Sequence, residues 1–381
     1  MSLRATKTLS AITLRSQLPQ AQRLVVKVGS SSLTTMEGGI SHERLKALVD
    51  ALAMVASRGT EVVLVSSGAM AAGFAPLGLA KRPKDLATQQ AAAAVGQGLL
   101  LAQYTNEFAT HGLTVAQVLL TADDLSRRQS YTNALRSLTR LLGLGVLPII
   151  NENDAVATHE IRFGDNDRLA SLVAHLIKAD ALLLLSDVDS VYDAHPRHGG
   201  NRIPVIKHPR ELDAVNLGTA GEAGVGTGGM ITKVEAAVMS SSSGIPVLVT
   251  SADNAAQALA GNDVGTWFAA RNTRRSARDV WLAHLASPQG KLTVDAGATR
   301  AVRSGENSLL AAGITAVSGD FEAGDAVEIC DQHGKVFARG LVNYASHELP
   351  AMLGRTTNQL TTWLGEGYER SVIHVDDLAL L

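Results

Sequence analysis

Short runs of almost wholly aliphatic residues punctuate the first two thirds of the chain. They fall at 24–28, 61–65, 146–150, 181–185 and 245–249, with further strand-like runs at 113–120 and 264–268. Between them, apolar residues recur at helical spacing: Leu45, Leu48, Val49, Leu52 and Val55; the Ala-rich stretch 86–110; Leu135, Leu138 and Leu142; Leu169, Leu172, Val173, Leu176 and Ile177. A strand apolar on both faces must be covered on both faces. Strands that alternate with amphipathic helices do this by forming a parallel sheet with helices on either side. The pattern therefore predicts a doubly wound, mainly parallel α/β sheet over residues 21–270. In such sheets ligands collect outside the carboxyl ends of the strands.

The residues at those ends are polar and small. Gly29, Ser30, Ser31 and Ser32 follow the first run, and Ser66, Ser67 and Gly68 the second. Asn151, Glu152, Asn153 and Asp154 follow Val-Leu-Pro-Ile-Ile, and Ser186, Asp187 and Asp189 close the run 181–185. Lys27 interrupts an otherwise apolar strand. Its ammonium either meets an anion or snorkels from an edge strand to water. The Asn151–Asp154 cluster reads as a ligand site or as an Asx-turn. Gly164-Asp165-Asn166-Asp167 opens a helix, where one carboxylate is explained by capping and the second is not. Residues 155–163 read as a hairpin.

Residues 218–233 hold six glycines between Gly218 and Gly229, then a helix beginning near Met230 with Lys233 in its first turn. A glycine loop feeding a helix N-terminus suits an anion, because backbone N–H groups and the helix dipole point at it. The same composition also fits a surface loop. No G-x-x-x-x-G-K-[ST] signature occurs, so a nucleotide site would have to be assembled from several strand ends.

A net charge of −2 argues against a general polyanion binder. The single cysteine, Cys330, excludes an internal disulfide framework and reads as a small buried hydrophobe. No apolar run reaches bilayer length, so no membrane partner is expected and the cytoplasm is the expected location. Residues 1–20, basic and acid-free, read as an N-terminal extension. Residues 271–285, with Arg271, Arg274, Arg275 and Arg278, read as a linker. Beyond it, residues 286–381 change character. Short strand candidates at 291–294, 325–330, 335–339 and 371–374 alternate with turn residues, as in a small β-rich barrel. From 271 onward eleven basic residues face thirteen acidic ones, which disfavours RNA as a partner.

Five motifs occur in order: Val-Val-Lys-Val-Gly-Ser, Val-Ser-Ser-Gly-Ala, Ile-Asn-Glu-Asn-Asp-Ala-Val, Phe-Gly-Asp-Asn-Asp and Gly-Thr-Gly-Gly-Met-Ile-Thr-Lys. Together with the appended barrel they resemble the glutamate 5-kinases of the amino acid kinase family, in the long form that ends in a PUA domain. The resemblance implies an αβα sandwich around an open, mainly parallel eight-stranded sheet, followed by a PUA barrel. It implies that Lys27, Gly29, Ser30 and Lys233 bind ATP phosphates. Ser186 and Asp187 would line the nucleotide site with Thr227, Gly228, Gly229, Met230, Ile231 and Thr232. Asp167 would orient the two lysines. Ser67, Asp154 and Asn166 would hold L-glutamate. Mg²⁺ is expected with the nucleotide, and the resemblance assigns it no protein ligand. Proline is expected as an inhibitor overlapping the glutamate site. A dimer or tetramer and a glutamyl phosphate reductase partner are also implied.

Overall fold

The computed structural model describes residues 12–34, 39–121, 124–125, 128–156, 166–194, 199–212, 215, 229–271, 282–283, 288–364, 368 and 370–381. The chain divides into two compact units, Met1–Asp124 with Thr132–Arg274, and Leu125–Tyr131 with Arg275–Leu381.

The first unit is built on an eight-stranded sheet. Its strands are β1 (Arg23–Val28), β2 (Glu61–Ser66), β3 (Val115–Leu120), β4 (Leu147–Glu152), β5 (Ala181–Ser186), β6 (Val205–Ile206), β7 (Val247–Ser251) and β8 (Thr266–Phe268). Their order is β3-β4-β2-β1-β5-β7-β8-β6. Every neighbouring pair from β3 to β7 is parallel; β8 runs antiparallel to β7 and parallel to β6. The helices are α1 (His42–Ala56), α2 (Ala69–Ala72), α3 (Leu86–Thr110), α4 (Arg128–Gly143, in this unit from Thr132 onward), α5 (Asn166–Leu176), α6 (Met230–Ser242) and α7 (Ala255–Leu259). The mainly parallel sheet read from the sequence is the one found.

β1 is central, not an edge. Leu24, Val26 and Val28 join one core cluster with residues of α1, α3 and α7. Period-two alternation turns Val25 and Lys27 to the other face. Strand β7 begins two residues later than the apolar run suggests. Ile245 N–H still closes the preceding helix on Ser240 O at 3.0 Å, and Pro246 has no N–H to give a ladder.

Residues 12–20, read as part of an extension, pack into the first unit. Arg15–Gln20 forms a 3₁₀ turn, and Ile12 and Leu18 are buried in the main core. Trp267 Nε1 donates to Thr13 O at 3.3 Å, and Arg15 pairs with Asp263.

The second unit holds a five-stranded sheet of β9 (Gly290–Val294), β10 (Ile314–Gly319), β11 (Ala326–Cys330), β12 (Val336–Leu341) and β13 (Leu378–Leu380), ordered β10-β9-β11-β12-β13. Helices α8 (Ala296–Arg303), α9 (Leu349–Met352) and α10 (Thr357–Leu364) accompany it. Leu292, Val327, Ile329, Leu349 and Ile373 lie in its core, and Cys330 is buried and free. The strand expected at 371–374 is instead an isolated bridge between Ile373 and Leu309, and the closing strand is β13. Among the described residues no helix is long and apolar enough to cross a membrane.

Candidate active site

Because β4, β2, β1, β5 and β7 are parallel neighbours, their carboxyl ends share one edge. Asn151 and Glu152, Ser66, Val28, Ser186 and Ser251 lie along it. Lys27, one residue back, sits opposite Val65 of β2 and Leu184 of β5.

Helices α5 and α6 cover the face to which Lys27 points. Each places one polar residue of its first turn inward. Asp167, second in α5, is fully buried, and Lys233, fourth in α6, is 6% exposed. The Lys27 ammonium lies 2.5 Å from Asp167 Oδ1 and the Lys233 ammonium 3.1 Å from Oδ2. One carboxylate is thus shared by two ammonium groups, one on each oxygen. Thr232 Oγ1 lies 3.4 Å from the same Oδ2. The helices are clamped further along by Ser171 Oγ and Ser240 Oγ, 2.5 Å apart. Two cations and one anion sum to +1, beside two helix N-termini. Both features favour a bound anion.

The other half of the edge carries neutral polar groups. Gly68 adopts φ +98°, a left-handed turn that glycine tolerates best, and Ser67 sits just before it. Asn166 Nδ2 lies 2.9 Å from each of Ser66 O, Ser67 Oγ and Asn151 Oδ1. The carbonyl can only accept, so the amide nitrogen of Asn166 faces this cluster. Ser67 Oγ accepts there, which leaves its own proton to point elsewhere. Asn166 Oδ1 is buried and meets no donor among the described residues. Buried Tyr104 lies 3.0 Å from Ser66 Oγ, and Ser66 Oγ donates to Ser67 O at 3.3 Å. Burial raises the Tyr104 phenol well above its usual range, so it keeps its proton and donates to Ser66. Asp154 is half-buried in the turn after β4.

A pocket opens at the ends of β1, β5 and β7, lined by Ser31, Ser32, Arg44, Ser186, Asp187, Ser251, Ala252 and Asp253. Ser186 Oγ donates to Asp187 Oδ1 at 2.9 Å. Gly29 N–H extends the ladder to Leu185 O at 3.2 Å, which fixes where Ser30 begins its turn. Gly229 caps α6 in extended conformation, and Met230 and Ile231 in its first turn are half-buried. Thr227, Gly228, Gly164, Asp165 and most of the expected hairpin lie outside the described residues, as do Arg274, Arg275 and Arg278.

Residues 22–251 match the model of the amino acid kinase family, and residues 290–363 match that of the PUA domain. The chain is 58% identical over 368 residues to a glutamate 5-kinase of Streptomyces coelicolor, covering 96% of this chain and 98% of that one. It is 58% identical to a glutamate 5-kinase of Thermobifida fusca (96% and 95% covered) and 52% identical to one of Bifidobacterium animalis subsp. lactis (98% and 100% covered). The chain belongs to the glutamate 5-kinases of the amino acid kinase family.

For a member of that family, the sequence reading passed over several residues at the site. Arg44, Ser251 and Asp253 line the pocket, yet Arg44 sits on an ordinary amphipathic helix, and Ser251 ends a strand and Asp253 follows it with no motif. Gln97 contacts Asn151 from α3. Its only sequence signal is an amide between Gly96 and Gly98 in a run of alanines.

Proposed function

We propose that this kinase transfers the γ-phosphoryl group of ATP to the side-chain carboxylate of L-glutamate, giving L-glutamyl 5-phosphate and ADP. That is the first step from glutamate to proline, carried out in the cytoplasm. The observation that supports it most is the pair of ammonium groups held on the two oxygens of Asp167.

A glutamate side chain, with a pKa of about 4.3, is ionised at neutral pH. It needs no general base. The difficulty is that one anion must approach another, and phosphoryl transfer is catalysed mainly by positioning and charge neutralisation. Lys27, from the sheet, and Lys233, from the helix above it, would reach the transferring group from two directions. Asp167 would hold both inward. Ser186, Asp187 and the start of α6, with Thr227 and Gly228 before it, would line the nucleotide. The carboxylates of Asp187 and Asp253 at the pocket are hard oxygen donors of the kind Mg²⁺ takes alongside phosphate and water. When bound, the ion would offset phosphate charge.

The amino acid would lie on the neutral half of the edge. The Ser67 hydroxyl has a proton to donate to a carboxylate. Asn166 Oδ1 and the Asp154 carboxylate offer acceptors to an ammonium. A hydrogen bond to a charged group is worth about 1.5–3 kcal/mol, so Asp154→Asn should raise the glutamate KM about tenfold or more. The ATP KM should hardly move. Steady-state kinetics against each substrate checks this; equal rises in both would mark a general structural role.

Proline is proposed as a feedback inhibitor overlapping the glutamate site, and the enzyme as a homodimer or homotetramer. Because the acyl phosphate is labile, a glutamyl phosphate reductase is the expected consumer. The deciding experiment traps the acyl phosphate as a hydroxamate, with ATP, Mg²⁺, hydroxylamine and glutamate, with and without proline. Signal with L-glutamate, absent with N-acetylglutamate or aspartate and suppressed by proline, supports the whole reading. Signal only with another acid discards the substrate.

A further inference from the structure

Helix α3 is locked against α2 by two glycines. A Cβ on Gly73 would fall 2.0 Å from Ala92 O, and one on Gly96 would fall 1.8 Å from Ala69 O. No side chain fits at either place, so the height and rotation of α3 are fixed relative to the turn that carries Ser67. Tyr104, two turns on, ties the same helix to Ser66. Gln97, adjacent to Gly96, is therefore presented at a set position, where its Oε1 accepts from Asn151 Nδ2 at 2.7 Å.

Asn151 is 2% exposed, and its other amide end is committed. Its Oδ1 accepts from the backbone N–H of Glu152 at 2.9 Å and from Asn166 Nδ2 at 2.9 Å. A backbone N–H cannot change into an acceptor. The NH₂ of Asn151 must then face α3, where it needs an oxygen. Gln97 supplies that oxygen. The chain of amides reads in one direction, from Gln97 Oε1 through Asn151 to Asn166, and it ends at Asn166 Oδ1, buried and without a donor among the described residues.

From this geometry we infer that Gln97 is a positioning residue for the amino-acid substrate. It satisfies the NH₂ that the Glu152 N–H turns toward α3, and so holds still the Asn151–Asn166 chain, in which Ser66 O keeps the Asn166 NH₂ on the cluster and its Oδ1 turned to the substrate's ammonium. The inference rests on the proposed role of Asn166 at the glutamate site. Without Gln97 Oε1, the buried NH₂ of Asn151 is left unsatisfied. Turning the amide gives no relief, because it sets nitrogen against two donors, Glu152 N–H and Asn166 Nδ2, so Asn151 must shift to find an oxygen. Asn166, tied also to Ser66 O, then has competing demands, and its Oδ1 is no longer held toward the ligand.

The test is steady-state kinetics on the full chain with Gln97→Met, which keeps the length and removes the acceptor, and Gln97→Glu, which keeps an acceptor. An unsatisfied buried group costs about 1–3 kcal/mol, so Gln97→Met should raise the glutamate KM about tenfold, with kcat and the ATP KM within about twofold. Gln97→Glu should restore the glutamate KM to within about threefold of the parent, because a carboxylate still accepts from Asn151. An unchanged glutamate KM in Gln97→Met, equal rises for both substrates, or equal effects of Met and Glu would overturn the inference. Should the Met variant fail to fold, Gln97→Leu carries the same expectation. Asn166→Ala separates the two levels. If it raises the glutamate KM and Gln97→Met does not, the relay alone is wrong. If Asn166→Ala leaves that KM unchanged, the site reading fails and the relay with it.

Discussion

Asp167→Asn will lose both stability and turnover, because one buried group serves both. The parent carboxylate has zero exposure and an ammonium on each oxygen. Asparagine offers one acceptor and one NH₂. Whichever way it turns, one lysine faces a donor inside the protein. Breaking a buried ion pair by removing one partner costs about 3–5 kcal/mol, since the remaining charge stays desolvated. Here two cations share the loss, and both sit where the sheet meets α5 and α6. The ammonium groups will also spread apart, because only Asp167 offsets their mutual repulsion in the triad. Turnover should fall about 10²–10³-fold, the scale seen when a preorganised electrostatic group is removed. Urea denaturation reads the first effect and hydroxamate formation at saturating substrates the second. Normal stability with low turnover would make Asp167 a purely catalytic group. Normal values of both would remove it from the mechanism.

The sequence exposed the frame of this site better than its wiring. Lys27 was conspicuous because Leu-Val-Val-Lys-Val has nothing else polar, and the central place of β1 excludes the snorkelling alternative. Asp167 was visible as one acid too many for a helix cap. That the two meet depends on β1 lying beneath α5, which follows from right-handed strand–helix–strand crossovers and not from local pattern. The amide chain was illegible for a further reason. Gln97 and Asn151 are 54 residues apart, and their contact exists only because Gly96 lets α3 reach the backbone of α2. Nothing in an Ala-rich helix says which of its faces will touch a strand end. In the second unit, β13 is three residues long and joins the edge of the sheet, too short for an alternating pattern to register. The glycine loop was the loudest sequence signal, and its 218–228 portion lies outside the described residues. Of the segment 218–233 the structure describes Gly229 and the first turn of α6.

Lys233→Ala should differ from Asp167→Asn in kind. Removing this lysine leaves Asp167 Oδ1 paired with Lys27 at 2.5 Å, and Thr232 Oγ1 within 3.4 Å of Oδ2. No buried charge loses every partner, so the fold persists and thermal unfolding shifts little. What is lost is the net positive charge of the triad. Lys27 and Asp167 then sum to zero, and on the proposed mechanism the transferring phosphoryl group would meet a neutral pair in place of a cation from each side. Turnover should drop about 10²–10³-fold, because the lost interaction strengthens as charge develops in transfer. Arginine will not substitute. Its guanidinium is planar and larger than an ammonium, and the buried space beside Asp167 was filled by a point charge. A small primary amine is the better replacement, and added propylamine should restore part of the turnover of Lys233→Ala while doing nothing for Asp167→Asn. A Lys233→Ala enzyme with near-normal turnover would place the phosphate elsewhere. Low turnover that propylamine cannot lift, in a protein that melts early, would make Lys233 a structural partner of Asp167 and leave the chemistry to Lys27.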